Sequence, residues 1–150
     1  MNDLPITPMD VVELDPAGRP MPAPDASSQP FFAAAARGEL IYQRCPTCDH
    51  AQHYPRMMCT ACAATPQWRR AAGVGLVYSF TVIRQNGLAP FKNELPYVLA
   101  LVELPEGVRM MGTLTGCDPG DVRIGMAVEA YAAKLADEVA LVYWRPVAGG

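Results

Sequence analysis

Histidine is nearly missing from this 150-residue chain: the only two, His50 and His53, sit three positions apart, and residues 71 to 150 contain none. That shortage excludes a Ser–His–acid set in the C-terminal half. Neither a glycine-rich phosphate loop nor a second cluster of metal-ligating side chains is there to replace it. The carboxylates of Asp118 and Asp121 are available as bases, but beside Pro119 they read as caps on the backbone amides of a turn. No catalytic residue is assigned, and the chain is expected not to be an enzyme on its own. Long apolar runs are lacking too. The longest, such as Tyr97 to Val102 and Val139 to Trp144, are strand-sized, far short of the ~18 residues of a spanning helix. Met1-Asn2-Asp3-Leu4-Pro5 has no basic flank and leads into no apolar stretch, so neither a signal peptide nor a membrane anchor is expected, and the expected location is the cytoplasm.

A strong charge of one sign is also absent. The net charge is −3, but residues 1 to 30 carry −4, residues 31 to 70 carry +3, and residues 71 to 150 carry −2. Only the middle segment is basic. A solvated surface is the plain reading of its arginines, and attraction of phosphate the sharper one.

Against these absences stands one dense motif. Cys45-Pro46-Thr47-Cys48 and Cys59-Thr60-Ala61-Cys62 hold four of the five cysteines, separated by ten residues. A two-residue gap lets each thiolate pair wrap one edge of a tetrahedral ion, so the pattern predicts a closed structural zinc site. Iron would be accepted by the same ligands, whereas paired disulfides fit poorly with a chain that shows no secretion signal. His50 and His53 could ligate a metal, but four cysteines already complete the shell. Cys117 remains as a free thiol.

The remaining chain divides around this motif. Residues 1–29 form a proline-rich extended arm, since seven of the fifteen prolines fall in the first thirty positions. The arm is read as a disordered tail or as a segment that orders on a partner, with an apolar knot at Val11, Val12 and Leu14. Residues 30–72 hold a short helix and the metal ribbon. Ser27-Ser28-Gln29-Pro30 can start the helix, Phe31 to Arg37 propagate it, and Gly38 stops it. Glu39 to Arg44 and Trp68 to Arg70 flank the knuckles as strands. Residues 73–147 alternate like β-structure, with strands expected at Val74–Ile83, Tyr97–Leu104, Arg109–Thr115, Ala127–Lys134 and Val139–Pro146. Residues 148–150 are a tail. Five strands with the longest break after the third suit a small closed Greek-key barrel of OB type, although periodicity alone supports only a small barrel or sandwich.

Several stretches together resemble one family. These are Phe31-Phe32 to Gln43-Arg44-Cys45, the paired knuckles with Pro55-Arg56 between them, Gly75-Leu76-Val77-Tyr78-Ser79-Phe80-Thr81-Val82, Pro96-Tyr97 to Glu103-Leu104, and Cys117 to Met126. In this order they look like the DUF35 family, from about residue 30 to 147. The resemblance implies a mainly β chain: an N-terminal helix and a rubredoxin-like zinc ribbon followed by a five-stranded OB-fold barrel. It further implies an accessory role in acyl-coenzyme A metabolism, beside thiolase-like enzymes, steroid side-chain aldolases or MaoC-type hydratases. Asp49 and Ala63 depart from the family, which usually has glycine just after a knuckle's last cysteine.

Two functions are therefore carried forward. The first is a non-catalytic accessory subunit, docked in a hetero-oligomer on a thiolase-fold or related acyl-CoA enzyme and helping to shape or enclose its acyl-CoA site. One zinc sits at Cys45, Cys48, Cys59 and Cys62, and Arg69, Arg70, Arg84 and Lys92 are candidates for the CoA phosphates. The second is a single-stranded nucleic-acid-binding ribbon and OB protein. The −2 charge of the expected barrel disfavours it, because phosphate backbones require a basic track.

Overall fold

The computed structural model describes residues 4–149. In chain order the elements are strand β1 (Val11–Glu13), helix α1 (Gln29–Ala36), strands β2 (Ile41–Arg44), β3 (Ala51–Gln52), β4 (Gln67–Arg70) and β5 (Val74–Ile83), helix α2 (Ala89–Lys92), strands β6 (Tyr97–Glu103) and β7 (Arg109–Leu114), a 3₁₀ turn (Pro119–Asp121), and strands β8 (Ala127–Ala136) and β9 (Val139–Pro146). The molecule is mainly β, as the sequence predicts, with strand ends within two residues of those expected. No helix among the described residues is long and apolar enough to cross a membrane.

Strands β5, β6, β7, β9 and β8 close into a barrel: β5 pairs with β6, β6 with β7, β7 with β9 in parallel at Leu114–Trp144, β9 with β8, and β8 returns to β5. Closure satisfies strand edges that an open sheet would leave free. Alternation selects the inner face, where Val77, Val98, Val102, Met110, Val128 and Trp144 are each under 2 % exposed. Burying a side chain of this kind contributes about 1.5–3 kcal/mol. Gly112 on β7 is where the wall meets Trp144. A side chain there would run into the carbonyl of Val142 and the indole of Trp144, so the large residue on one strand requires the empty position on the next.

Helix α1 is eight residues long, too short to persist alone in water. It is held by tertiary contact: Ala34, Ala35 and Ala36 are buried, and methyl side chains let the helix backbone approach β8 and β9 closely.

The proline-rich arm lies along its own barrel, neither a loose tail nor in need of a partner to order. Strand β8 has ten residues, but β5 pairs only with Ala127 to Glu129, and the edge further on is taken by β1, which runs parallel to it with Val11 opposite Ala132. Met9 is 7 % exposed, and its amide donates to the Gly38 carbonyl at 2.8 Å. Gly38 has a φ of 83°, and a Cβ there would stand 2.8 Å from the Met9 carbonyl oxygen, so this crossing needs glycine. Further along, Arg19 forms an ion pair with Glu94 and lies over the Phe91 ring, 5.3 Å from its centroid. The knot named in the sequence is turned inside out: Val11 and Val12 are exposed and Met9 is the anchor.

Strands β3, β2 and β4 form the ribbon's own sheet. Glu106, in the β6–β7 turn, fastens it to the barrel. Its carbonyl accepts from an Arg44 guanidinium N–H at 2.8 Å, and its carboxylate accepts from the Ala72 amide at 2.7 Å.

Candidate functional site

Each knuckle is a tight backbone turn. The Cys45 carbonyl accepts from the Asp49 amide at 2.9 Å, and the Cys59 carbonyl accepts from the Ala63 amide at 2.9 Å. Both turns end in left-handed backbone, Asp49 with φ 63° and Ala63 with φ 66°. The family's usual glycine conformation is therefore kept without glycine. The two knuckles face one another, with Cys45 Sγ 3.5 Å from Cys62 Sγ and Cys48 Sγ 3.6 Å from Cys59 Sγ, and all four sulfurs lie within 4.8 Å of one another. A tetrahedron with Zn–S arms of about 2.3 Å has edges of about 3.8 Å, whereas a disulfide brings its sulfurs to about 2.05 Å. The four donors thus fit a zinc ion and not a pair of disulfides. Cys45 and Cys59 are buried, Cys48 and Cys62 exposed.

Crowding four thiols divides their acidities. Cys45 is drawn down to about 6, first by the backbone N–H of Cys48. Cys48 has a lowering hydrogen bond from the His50 backbone, yet desolvation and the other three thiols push it up to about 12. Four thiolates this close require a cation, which a divalent metal supplies. Neither histidine joins them: His50 Nε2 lies 3.1 Å from the Thr60 hydroxyl, and the His53 ring packs against Phe31 with centroids 5.1 Å apart.

Beneath the knuckles is a polar network that sequence reasoning missed. Gln43 and Gln52 are 4 % and 7 % exposed. The Gln43 amide donates to the Arg56 carbonyl and accepts from the Arg56 N–H, both at 2.9 Å, and it also accepts from Gln52 Nε2 at 2.8 Å. Gln52 in turn accepts from the Thr60 amide at 2.9 Å. Two buried glutamines thus fix the segment between the knuckles from below. Their only sequence signal was a glutamine within the apolar strand Ile41-Tyr42-Gln43.

Arg69 and Arg70 are exposed at successive positions of β4, so they leave its opposite faces. Arg84 is exposed just after β5, and Lys92 is exposed at the end of α2. None of the four lines a cleft described below. Cys117 is partly buried and unpaired, its thiol pushed up by burial and then by Asp121 and Asp118.

Two matches carry this geometry to a family. Residues 32–68 match the ChsH2 rubredoxin-like zinc ribbon domain, and residues 68–133 match the ChsH2 C-terminal OB-fold domain. A DUF35 domain-containing scaffold protein of Methanocaldococcus jannaschii is 35% identical over 66% of this chain and 71% of its own length. The chain belongs to the DUF35 family. Among solved structures, this DUF35 chain superposes on one described as the Ltp2-ChsH2(DUF35) aldolase with a TM-score of 0.75 and 36% identity, covering 83% of this chain and 98% of the other. A probable enoyl-CoA hydratase alpha subunit of Thermomonospora curvata is 38% identical over 85% of the DUF35 chain, which spans 40% of that relative's length. Membership and the sulfur geometry together support a structural zinc held by the four cysteines.

Proposed function

We propose that this chain is a non-catalytic accessory subunit that docks on an acyl-CoA enzyme of thiolase-like fold and helps to shape or enclose its acyl-CoA site. The observation that carries the reading is the near-complete match to a chain of the Ltp2-ChsH2(DUF35) aldolase. A relative named as a hydratase alpha subunit and another named as a scaffold protein support it.

The surface supplies a place for a partner. Outward positions of β5 alternate as Val74, Leu76 and Tyr78, which are 37%, 53% and 46% exposed, and Ile124 beside them is 64% exposed. They border an open cleft of about 680 Å³ with Leu104 and Val147. A strand that is apolar on both faces has one face left to cover, and such patches on soluble proteins mark association sites. Zinc would hold the ribbon rigid, as Cys45, Cys48, Cys59 and Cys62 fit it, and its role in this reading is structural. Arg69, Arg70, Arg84 and Lys92 stay in the proposal as contacts to the CoA phosphates, completed by partner residues.

Purification of the untagged chain from its native cell, with mass identification of what accompanies it, tests the reading. An acyl-CoA enzyme is expected in stoichiometric amount, and co-expression should restore carbon–carbon bond formation or cleavage that neither protein shows alone. Recovery without such an enzyme, together with tight, salt-sensitive binding of single-stranded DNA or RNA, would overturn it.

A further inference from the structure

Side chains, and not only an ion, join the two knuckles. The first knuckle closes where the Cys45 amide donates to the His50 carbonyl at 2.9 Å, and the second where the Cys59 amide donates to the Ala64 carbonyl at 2.7 Å. Gln52 follows closely after His50 on the way out of the first knuckle, and its side chain crosses to the second. Its Oε1 accepts from the Thr60 amide at 2.9 Å and from the Thr60 hydroxyl at 3.2 Å, while its Nε2 donates to the Met58 carbonyl at 3.3 Å. The His50 ring makes the same crossing, with Nε2 3.1 Å from the Thr60 hydroxyl.

Gln52 is held in this position from behind. Its Nε2 also donates to Gln43 Oε1 at 2.8 Å, so the acceptor and donor positions of its primary amide are all used. Gln43 lies opposite it in the β2–β3 ladder and is itself locked on the N–H and carbonyl of Arg56, whose side chain borders a groove between α1, the ribbon and the barrel. Both glutamines are buried, and a buried amide network whose members are paired is rigid.

The sulfurs stand at the spacing this network enforces. Across the knuckles they are 3.5 Å and 3.6 Å apart, already inside the edge of about 3.8 Å of a zinc tetrahedron. A larger ion requires longer edges. The knuckles can supply them only by parting, which stretches and weakens the 2.9 Å bond at the Thr60 amide. Thr60 occupies the place in the second knuckle that Pro46 occupies in the first. Proline has no N–H, so the knuckle turn does not itself need a donor there, and that of Thr60 is free for Gln52.

We propose that Gln52, seated on Gln43, is a positioning residue that fixes the separation of the knuckles and so selects a zinc-sized ion over larger thiophilic divalent cations such as cadmium. Soft thiolates by themselves make no choice against a softer ion. The inference rests on the four cysteines holding a metal and is independent of the docking reading above.

Competition of Zn2+ and Cd2+ for the full chain, with both free ions buffered by a chelator, tests it. The readouts are the thiolate-to-cadmium charge-transfer absorption and the metal content. A wild type that takes neither ion overturns the metal assignment, and the inference with it. Folding of the ribbon contributes equally to the binding of either ion, so a mere change in fold stability cancels in the ratio of the two dissociation constants. Gln52→Leu and Thr60→Pro should each shift that ratio towards cadmium by about ten-fold, the effect of one or two lost hydrogen bonds. Thr60→Ser, which keeps both donors, should retain the wild-type ratio. Thr60→Pro decides the matter where Gln52→Leu does not fold. A wild-type ratio in Thr60→Pro, loss of both ions by that variant, or an equal shift in Thr60→Ser would each overturn the proposal, because the network would then build the ribbon without choosing its ion.

Discussion

Ala63 holds a backbone conformation in which its own methyl group is a liability. Its φ of 66° is the left-handed region, where a Cβ costs about 1–2 kcal/mol. Asp49 at φ 63° bears the strain better, because short polar side chains enter this region more readily. Ala63→Gly is therefore expected to stabilise the zinc-loaded chain by about 1 kcal/mol, read from denaturant midpoints, while Asp49→Gly should change little. His53 is a second residue out of balance. Its Nδ1 is buried without a hydrogen-bond partner among the described residues, and its pKa is lowered to about 4. Above pH 6.5 the ring is neutral whether folded or not and has no effect. As the pH falls from 6.5 towards 4, the unfolded chain takes a proton that the folded chain refuses, so stability drops by up to about 1–3 kcal/mol. His53→Phe should flatten that part of the stability profile. A variant as steep as the wild type between pH 6.5 and 5 would assign the acid loss to other groups, such as the thiolates.

At the scale of elements, the ribbon and the arm are stable for different reasons. The ribbon sheet has only short strands, and its two knuckles meet around sulfur. Chelating the metal or replacing Cys48 with serine should melt residues 40 to 70 in amide NMR spectra, since metal binding in such modules supplies ~10–16 kcal/mol of folding free energy. Persistence of those signals in a metal-free sample would show that Gln43 and Gln52 suffice. The arm is held by a buried side chain, a strand edge and ion pairs of Asp10 and Arg19 to the barrel side. Met9→Ala should cost about 2–5 kcal/mol as a core truncation, whereas Val11→Ser, at an exposed position, should cost under about 0.5 kcal/mol. Thermal melts of the two variants distinguish this anchoring from a loosely attached tail, for which both would be silent.

For the whole molecule, the barrel presents two unlike surfaces, the apolar outer side of β5 and the groove between α1, ribbon and barrel. A charge placed on the first, as in Leu76→Asp or Ile124→Asp, should abolish copurification of the partner enzyme and leave melting temperature and zinc content close to wild type. Such side chains are more than half exposed, and substitutions at exposed sites usually change stability by no more than about 0.5 kcal/mol. Retention of the partner by both variants would move the docking surface elsewhere.

Much of this architecture could be read from the chain, because it rests on local rules. Two Cys-x-x-Cys pairs announce a metal ribbon through the reach of a thiolate, and strands such as Tyr97 to Glu103 announce themselves through alternation, a property of neighbouring residues. Barrel closure and the place of the arm depend on what lies opposite a residue, which no local pattern states. Met9 reads as one apolar residue among prolines until the open edge of β8 is there to receive β1. Gln43 reads as a polar interruption until Arg56, thirteen positions on, turns back over it. Arg56 reads as one arginine in a basic stretch, no different from Arg69 or Arg70. Only the tertiary structure separates them, because a charge acquires a role from the groups around it: none of the three has an ion pair among the described residues, but Arg69 and Arg70 point away from each other on an exposed strand, whereas Arg56 lines an apolar groove.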